Sequence, residues 1–344
     1  MKTAVIILNY NGAALLQHYL PSVIRSVKGD AEVIVADNGS TDNSVKVMND
    51  EFANVKLLAF DKNYGFAEGY NKAIREVVAD YVVLLNSDVE TPMGWLEPLV
   101  EYIDAHTECA ALQPKIIADK QRTHFEYAGA AGGFIDRYGY PFCRGRILDT
   151  VEEDNGQYDT PIEVFWATGA CLVVRRQVYL ETGGLDARFF AHQEEIDLCW
   201  RLKSRGYSIQ CIPSSVVYHL GGGSLGYESP RKTYLNFRNN QLLLYKNMQK
   251  AEYNWVAFAR FFLDIAAAMN LLVHGKGGNC AAVFKAWRDF IKEKKEFKAD
   301  REENLRKSIV KKIPEQLNFL LICKVYIAKK KTFDKLFIDK TAQK

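Results

Sequence analysis

Short apolar runs alternate with stretches of helical period along the first part of the chain. Ala4–Leu8, Glu32–Ala36, Val55–Ala59 and Tyr81–Leu85 are β-branched or leucine-rich, and each stops at polar or glycine-bearing sequence. Such runs read as strands buried on both faces of a parallel sheet. Between them Leu15, Leu16, Tyr19, Leu20, Val23, Ile24 and Val27 recur with helical spacing, as do Ala73, Ile74, Val77 and Val78, which predicts amphipathic helices. Strand–helix–strand order with short connections implies right-handed crossovers and an open, mainly parallel α/β sheet flanked by helices. In such sheets ligands bind beyond the carboxyl ends of the strands.

The unusual polar residues fall at those ends. The four runs lead into Asn9-Tyr-Asn-Gly12, Asp37-Asn-Gly-Ser-Thr-Asp42, Asn63-Tyr-Gly-Phe-Ala67 and Asn86-Ser-Asp88. Any one loop of this kind is ordinary turn and cap chemistry, but four on one edge describe a polar site. Neither G-x-G-x-x-G nor G-x-x-x-x-G-K-[ST] follows the first strand, so dinucleotide and P-loop phosphate cradles are not supported. Asp37 can accept from a pyrimidine N–H or a ribose hydroxyl, and Asp88 offers a hard oxygen ligand to a cation bridging a diphosphate. That chemistry is a nucleotide diphosphate held by a metal.

Taken together, Asn9–Gly12, Asp37–Asp42, Asn63–Ala67 with Asn71, Leu85–Asp88, Thr168–Ala170, Phe190–Arg201 and His219 resemble the family-2 glycosyltransferases of GT-A fold, especially the rhamnosyltransferase-like group. The resemblance runs in order from about Thr3 to Met248. It implies an inverting enzyme that moves a sugar from a UDP- or dTDP-sugar to a saccharide or lipid-linked saccharide in surface polysaccharide synthesis, with Mg²⁺ or Mn²⁺ as cofactor. Asn9, Asp37, Asn63, Gly65, Asn71, Asn86 and Asp88 would bind the donor. Asn86-Ser-Asp88 takes the place of the family's D-x-D motif, with Asn where the first Asp often stands, and Asp88 would ligate the metal with His219. The glycines after His219, through Ser224, would let backbone amides approach the diphosphate or serve only as a flexible loop. Glu195 takes the position of the family's catalytic Asp and would act as base, with Glu194 as the runner-up. Trp166, Thr168, Gly169 and Asp197 would line the acceptor or sugar pocket. Each also has a plain structural reading: Trp166 as a core residue, Asp197 as an i, i+4 partner of Arg201. The stretch Tyr127–Tyr158, rich in Gly, Tyr and Arg, reads as an insertion or flexible loop near the acceptor.

Composition adds a boundary. Of 45 Lys+Arg and 42 Asp+Glu, the segment Lys285–Lys344 holds 18 and 9, a local +9, leaving the rest at −6 (27 against 33). An acidic body thus carries a basic tail, and the end of the resemblance near Met248 implies a catalytic domain, 1–248, followed by a helical, basic region, 249–344. That balance gives no case for nucleic-acid binding. Seven cysteines without zinc spacing read as reduced thiols. Together with an opening apolar run too short for a signal sequence, they lead to the expectation of a cytoplasmic protein. Trp255–Gly275 is broken by Arg260 and Asp264 and so is not expected to span a bilayer. A stripe of Trp255, Phe258, Phe261, Phe262, Ile265, Met269 and Leu272 leaves two readings, peripheral contact with the inner membrane face or packing on the catalytic domain. Two other functions compete. A sugar-nucleotide pyrophosphorylase would need a basic, glycine-rich loop that Asn11-Gly-Ala-Ala14 lacks, and a silent nucleotide-sugar binder would need no base.

Overall fold

The computed structural model describes residues 2–221 and 229–337. From the start, β1 (Thr3–Asn9), α1 (Ala13–Ser26), β2 (Ala31–Asp37), α2 (Ser44–Glu51), β3 (Lys56–Ala59), α3 (Gly65–Arg75) and β4 (Tyr81–Asn86) alternate. A short β5 (Val89–Glu90) and α4 (Glu97–Ala105) lead into β6 (Cys109–Ala118). A meander of β7 (Gly133–Asp136), β8 (Pro141–Cys143), β9 (Arg146–Ile147) and β10 (Thr150–Val151) follows. The chain then returns through β11 (Ile162–Glu163), β12 (Cys171–Arg175), α5 (Arg176–Thr182), α6 (Glu194–Ser204) and β13 (Ser208–His219). It ends with α7 (Pro230–Asn247), α8 (Lys250–Val273), α9 (Gly277–Glu293), α10 (Lys298–Lys307), β14 (Gln316–Leu317) and α11 (Phe333–Phe337).

The main sheet has the order β11-β13-β6-β12-β4-β1-β2-β3, with β5 beside β13. Strands β3, β2, β1 and β4 are parallel, β12 runs antiparallel between β4 and β6, and β13 is parallel to β6. The fold is therefore the expected α/β sheet with a helical C-terminal region. Alternation along the strands divides the core in two. Ala4, Ile6, Val82 and Leu84 face one cluster, while Val5, Ile7, Val83 and Leu85 face the other, as the period of two requires. At about 25 cal/mol per Å² of apolar surface, burial of such side chains is the main force holding both layers to the sheet.

The stretch Tyr127–Tyr158 is not a flexible loop. It carries the strands of a second sheet, order β10-β9-β8-β7-β14, whose last member arrives from the far end of the chain. Leu321 N donates to Asp136 Oδ2 (2.8 Å), and the Phe333 ring packs 5.0 Å from that of Phe134. Strands of two to four residues show no readable period, which is why sequence pattern missed them.

Helix α8 faces the protein with Val256, Arg260, Asp264 and Ala268. Arg260 pairs with Asp264 (3.0 Å), caps the Tyr138 carbonyl and stacks on Tyr140. The opposite side exposes Trp255, Phe258, Phe261, Phe262, Met269, Leu272 and Val273. Packing of this stripe on the catalytic domain is thus not what the fold shows. All seven cysteines are free, and six are buried.

Candidate active site

The parallel register sets Asn9 beside Asp37 at the carboxyl ends of β1 and β2. Asn9 Nδ2 donates to Asp37 Oδ2 (2.9 Å), and Ser40 donates to the same carboxylate through its backbone N (2.9 Å) and its hydroxyl (2.6 Å). Both side chains are buried, and Asn9 Oδ1 has no partner. An orphaned buried acceptor beside an ordered carboxylate suits a ligand N–H or hydroxyl. Asn38 ties this corner to the next loop by donating to Asn63 Oδ1 and the Gly65 carbonyl (3.0 Å each) and accepting from Tyr64 N (3.0 Å). Gly39 must be glycine, since φ is +73° and a Cβ would lie 2.4 Å from the Lys62 backbone.

At the end of β4, Asn86 Nδ2 lies 3.4 Å from His219 Nε2, and Asp88 Oδ1 lies 3.1 Å from the same nitrogen. Behind the ring, Glu126 Oε2 stands 3.4 Å from Nδ1, near enough for charge attraction but not an aligned hydrogen bond. Burial disfavours a charged imidazole here, yet Asp88 and Glu126 outweigh it and push His219 up to about 10. A cation is thus favoured at this point, and a divalent ion would have to displace the proton. Among the described residues no group of three or more His, Cys, Asp or Glu side chains converges on one point. Asp88 and His219 are thus two donors, a hard carboxylate oxygen and an imidazole nitrogen, of the kind a divalent ion accepts, and Glu126 places a negative charge behind the ring. Glu126 escaped the sequence reading because it belongs to no motif and its partner lies far along the chain. Gly222, Gly223 and Ser224 lie outside the described residues.

Helix α6 brings the candidate bases. Gln193, in the left-handed region, precedes Glu194 and Glu195 in the first turn. Glu194 is buried, with Oε2 unpartnered, and burial together with the Glu195 charge holds its pKa well above the ordinary carboxylate range. Glu195 keeps partial exposure while its Oε2 is enclosed without a partner, and desolvation raises it to about 7. Carboxylates in this state are suited to proton transfer near neutrality. Just upstream, His192 is pushed down to about 4 by burial and by Lys232. Lys232, in the first turn of α7, is also within electrostatic reach of Glu126.

Several predicted site residues do not face it. Asp197 is fully buried: Arg201 Nε (2.9 Å), Lys246 Nζ (2.9 Å) and Asn247 Nδ2 (2.8 Å) all donate to it. Burial alone would raise its pKa, but the two cations outweigh that and keep it low, so it is a brace and not a pocket residue. Asn71 is committed in the same way, donating to the Leu185 carbonyl (2.8 Å) and accepting from Tyr179 Oη (2.6 Å) and Leu185 N (3.1 Å). Trp166 is a core residue whose Nε1 donates to the Phe134 carbonyl (2.9 Å). Thr168 bonds the Ala128 carbonyl (2.8 Å) and Gln113 (2.9 Å), and a Cβ on Gly169 would meet Phe66 at 3.2 Å. Asn63 and Gly65 shape their loop through the bond from Gly65 N to Asn63 Oδ1 (2.8 Å).

Known proteins agree with this architecture. The model of "Glycosyl transferase family 2" matches residues 4–181, just over half of the chain. An N-acetylglucosaminyl-diphospho-decaprenol L-rhamnosyltransferase of Mycobacterium tuberculosis is 28% identical over 238 residues, covering 64% of this chain and 77% of its own. The low-salt glycan biosynthesis hexosyltransferase Agl10 of Haloferax volcanii is 24% identical over 245 residues, 70% of this chain and 74% of its own. Among solved structures, TarS residues 1–349 of S. aureus with UDP-GlcNAc superposes with a TM-score of 0.56 at 16% identity, covering 89% of each chain. GalNAc-T7 with UDP, GalNAc and Mn²⁺ gives 0.59 at 17% identity over 76% of this chain and half of its own. Pyrophosphorylase and silent-binder readings give way to this set, and the chain belongs to glycosyl transferase family 2, as a glycosyltransferase of GT-A fold.

Proposed function

We propose that the protein is an inverting, metal-dependent glycosyltransferase that takes a sugar from a UDP- or dTDP-sugar to a saccharide or lipid-linked saccharide in surface polysaccharide synthesis. One observation carries the reading: two carboxylates with unpartnered, enclosed oxygens, Glu194 and Glu195, open α6, in a fold whose sheet edge also carries the Asp88–His219 pair. Asn9 and Asp37 hold the pyrimidine and ribose. Asp88 and His219 would hold Mg²⁺ or Mn²⁺, whose charge would offset that of the departing diphosphate. Glu195 takes the proton of the acceptor hydroxyl as its oxygen bonds to the anomeric carbon. The bond from that carbon to the diphosphate oxygen breaks on the opposite face, the electron pair leaves with the diphosphate, and the configuration inverts. The names of the M. tuberculosis rhamnosyltransferase and of the UDP-bound neighbours support this donor and acceptor chemistry.

Residues 1–248 form the catalytic unit in this proposal, with β14 and Phe333 from the far end of the chain completing its second sheet, and α8 with the basic segment after it carries that unit to a membrane surface at the cytoplasmic face. The apolar side of α8 supports that placement, as does the charge beside it: residues 276–298 hold seven Lys+Arg against three Asp+Glu, a net +4. Apolar insertion combined with basic residues fits an anionic lipid surface. Thermal-shift measurements with UDP-, dTDP- and GDP-sugars, with and without Mn²⁺, test the core of the reading, because a ligand of the native state raises Tm. Stabilisation by a pyrimidine donor that deepens with Mn²⁺ is expected. A response to none of them overturns it, as does wild-type turnover in Asp88→Ala.

A further inference from the structure

The turn that launches α6 has a costly backbone. Phe190 has φ +67° and ψ −59°, His192 has φ +71° and Gln193 has φ +72°, and none of the three is glycine. Such conformations cost on the order of 1–3 kcal/mol each and persist only where the surroundings impose them. The left-handed steps leave three carbonyls pointing inward, away from any strand or helix partner.

One side chain meets all three. Asn239, in the middle of α7 and wholly buried, directs Nδ2 at the carbonyls of Phe189 (2.9 Å), Ala191 (2.8 Å) and His192 (2.9 Å). Two N–H bonds serve three acceptors, so one is shared. Arg238 fixes the amide from the other end by donating to Asn239 Oδ1 (3.0 Å). The next residue extends the grip, since Asn240 Nδ2 donates to Gln193 Oε1 (3.0 Å), and Gln193 Nε2 in turn reaches the Asn236 carbonyl (3.2 Å). An aliphatic residue at 239 would leave the Ala191 and His192 carbonyls unmet and the Phe189 carbonyl with only its bond from Ala191 N (2.8 Å), and a carboxylate would repel all three.

We infer that Asn239 is a positioning residue for transfer, setting through the Phe189–Gln193 turn where the carboxylates of Glu194 and Glu195 stand. The inference rests on the reading of those carboxylates as the base. Asn239 touches neither substrate nor base; it acts through the turn. Its removal lets the start of α6 move, and a displacement near 1 Å can lower the rate about 10²-fold while leaving ground-state binding intact.

The test is Asn239→Ala, which removes the three bonds without adding charge, beside Asn239→Asp, which keeps the shape and reverses the polarity. Both are compared with wild type and Glu195→Gln in steady-state transfer and in donor binding by calorimetry. Expected is a fall in kcat of about 10- to 100-fold with donor KM and donor Kd within about twofold, the pattern of a lost transition-state arrangement. Wild-type kcat in Asn239→Ala overturns the inference, and so does a parallel loss of kcat and donor affinity, which marks general collapse of the site. Failure of both variants to fold would assign Asn239 to stability and overturn it as well. Full turnover in Glu195→Gln would instead strike the base assignment, so the two failures are distinguishable.

Discussion

Replacing Glu195 by Gln should slow the enzyme and stabilise it, with a pH dependence that identifies the cause. Desolvation lifts this carboxyl from an ordinary 4.5 to about 7, a preference for the neutral form worth about 3 kcal/mol. The folded protein binds the proton more tightly than the unfolded chain. The stabilising effect is therefore fully present below about pH 4.5 and lost as pH rises through 7, where the ionised group burdens the fold. Gln is neutral at every pH and escapes that burden. The shift already includes the opposing attraction of the first-turn backbone N–H groups, so the gain should be about 3 kcal/mol at pH 8 and close to nothing at pH 4.5. Melting curves of both proteins at the two pH values read the difference, with a rise in Tm of a few degrees only at pH 8. Turnover should fall by about 10²-fold or more, and wild-type kcat should itself decline as pH drops below about 7. A Tm difference that is the same at both pH values would refute the desolvation argument. Undiminished turnover would transfer the base role to Glu194.

Three further outcomes follow from the geometry. Asp197→Asn should cost about 3–5 kcal/mol in denaturant titrations, because it leaves Arg201 and Lys246 buried without their counter-charge; a loss under about 1 kcal/mol would return Asp197 to the list of pocket residues. Chelator should abolish transfer, and Glu126→Gln should weaken Mn²⁺ dependence by about 10-fold or more through the ring it orients, whereas an unchanged metal titration would remove Glu126 from the site. Full-length protein should float with anionic vesicles at low salt, and Phe258→Glu with Phe262→Glu should abolish flotation without changing transfer to a soluble acceptor; equal flotation of the variant would detach α8 from the membrane proposal.

The parts of the fold that could be read in advance are those whose environment is uniform. Strands β1 and β4 are buried almost throughout and β2 over its second half, so their apolar runs are clear and Asn9, Asp37 and Asp88 stand out where those runs end, whereas β3, at the sheet edge, is half exposed and not the doubly buried strand its run suggested. The second sheet was hidden because β8 to β10 have only two or three residues each and β14 joins them from beyond α10, a pairing no local pattern encodes. Within the site, sequence could mark polar residues near strand ends without distinguishing those that face the ligand from those that face a neighbouring loop. Asn9 and Asn71 look alike in sequence. One retains an unpartnered buried oxygen, while the other spends both ends of its amide on Leu185, Glu68 and Tyr179. Glu126 and Asn239 lay outside any motif because each acts on a residue brought to it only by the sheet or by α7.

In the sequence of α8, Arg260 and Asp264 argued against a full span, because charges in an apolar run are costly in lipid, and left shallow membrane contact open. In the fold both side chains point inward, satisfied by each other, by the Tyr138 carbonyl and by Gln241 and Trp287. The charges therefore face the protein and the aromatics face outward, the inverse of a surface helix in water. By length and composition the helix could cross a bilayer. Crossing would pull the Arg260–Asp264 pair away from Tyr138, Tyr140 and Asn240, and the buried charges would lose the partners that make them tolerable. Lying along the surface, as proposed, would keep every one of those bonds and would still cover the exposed aromatic side, which is what separates the proposed peripheral docking from a crossing.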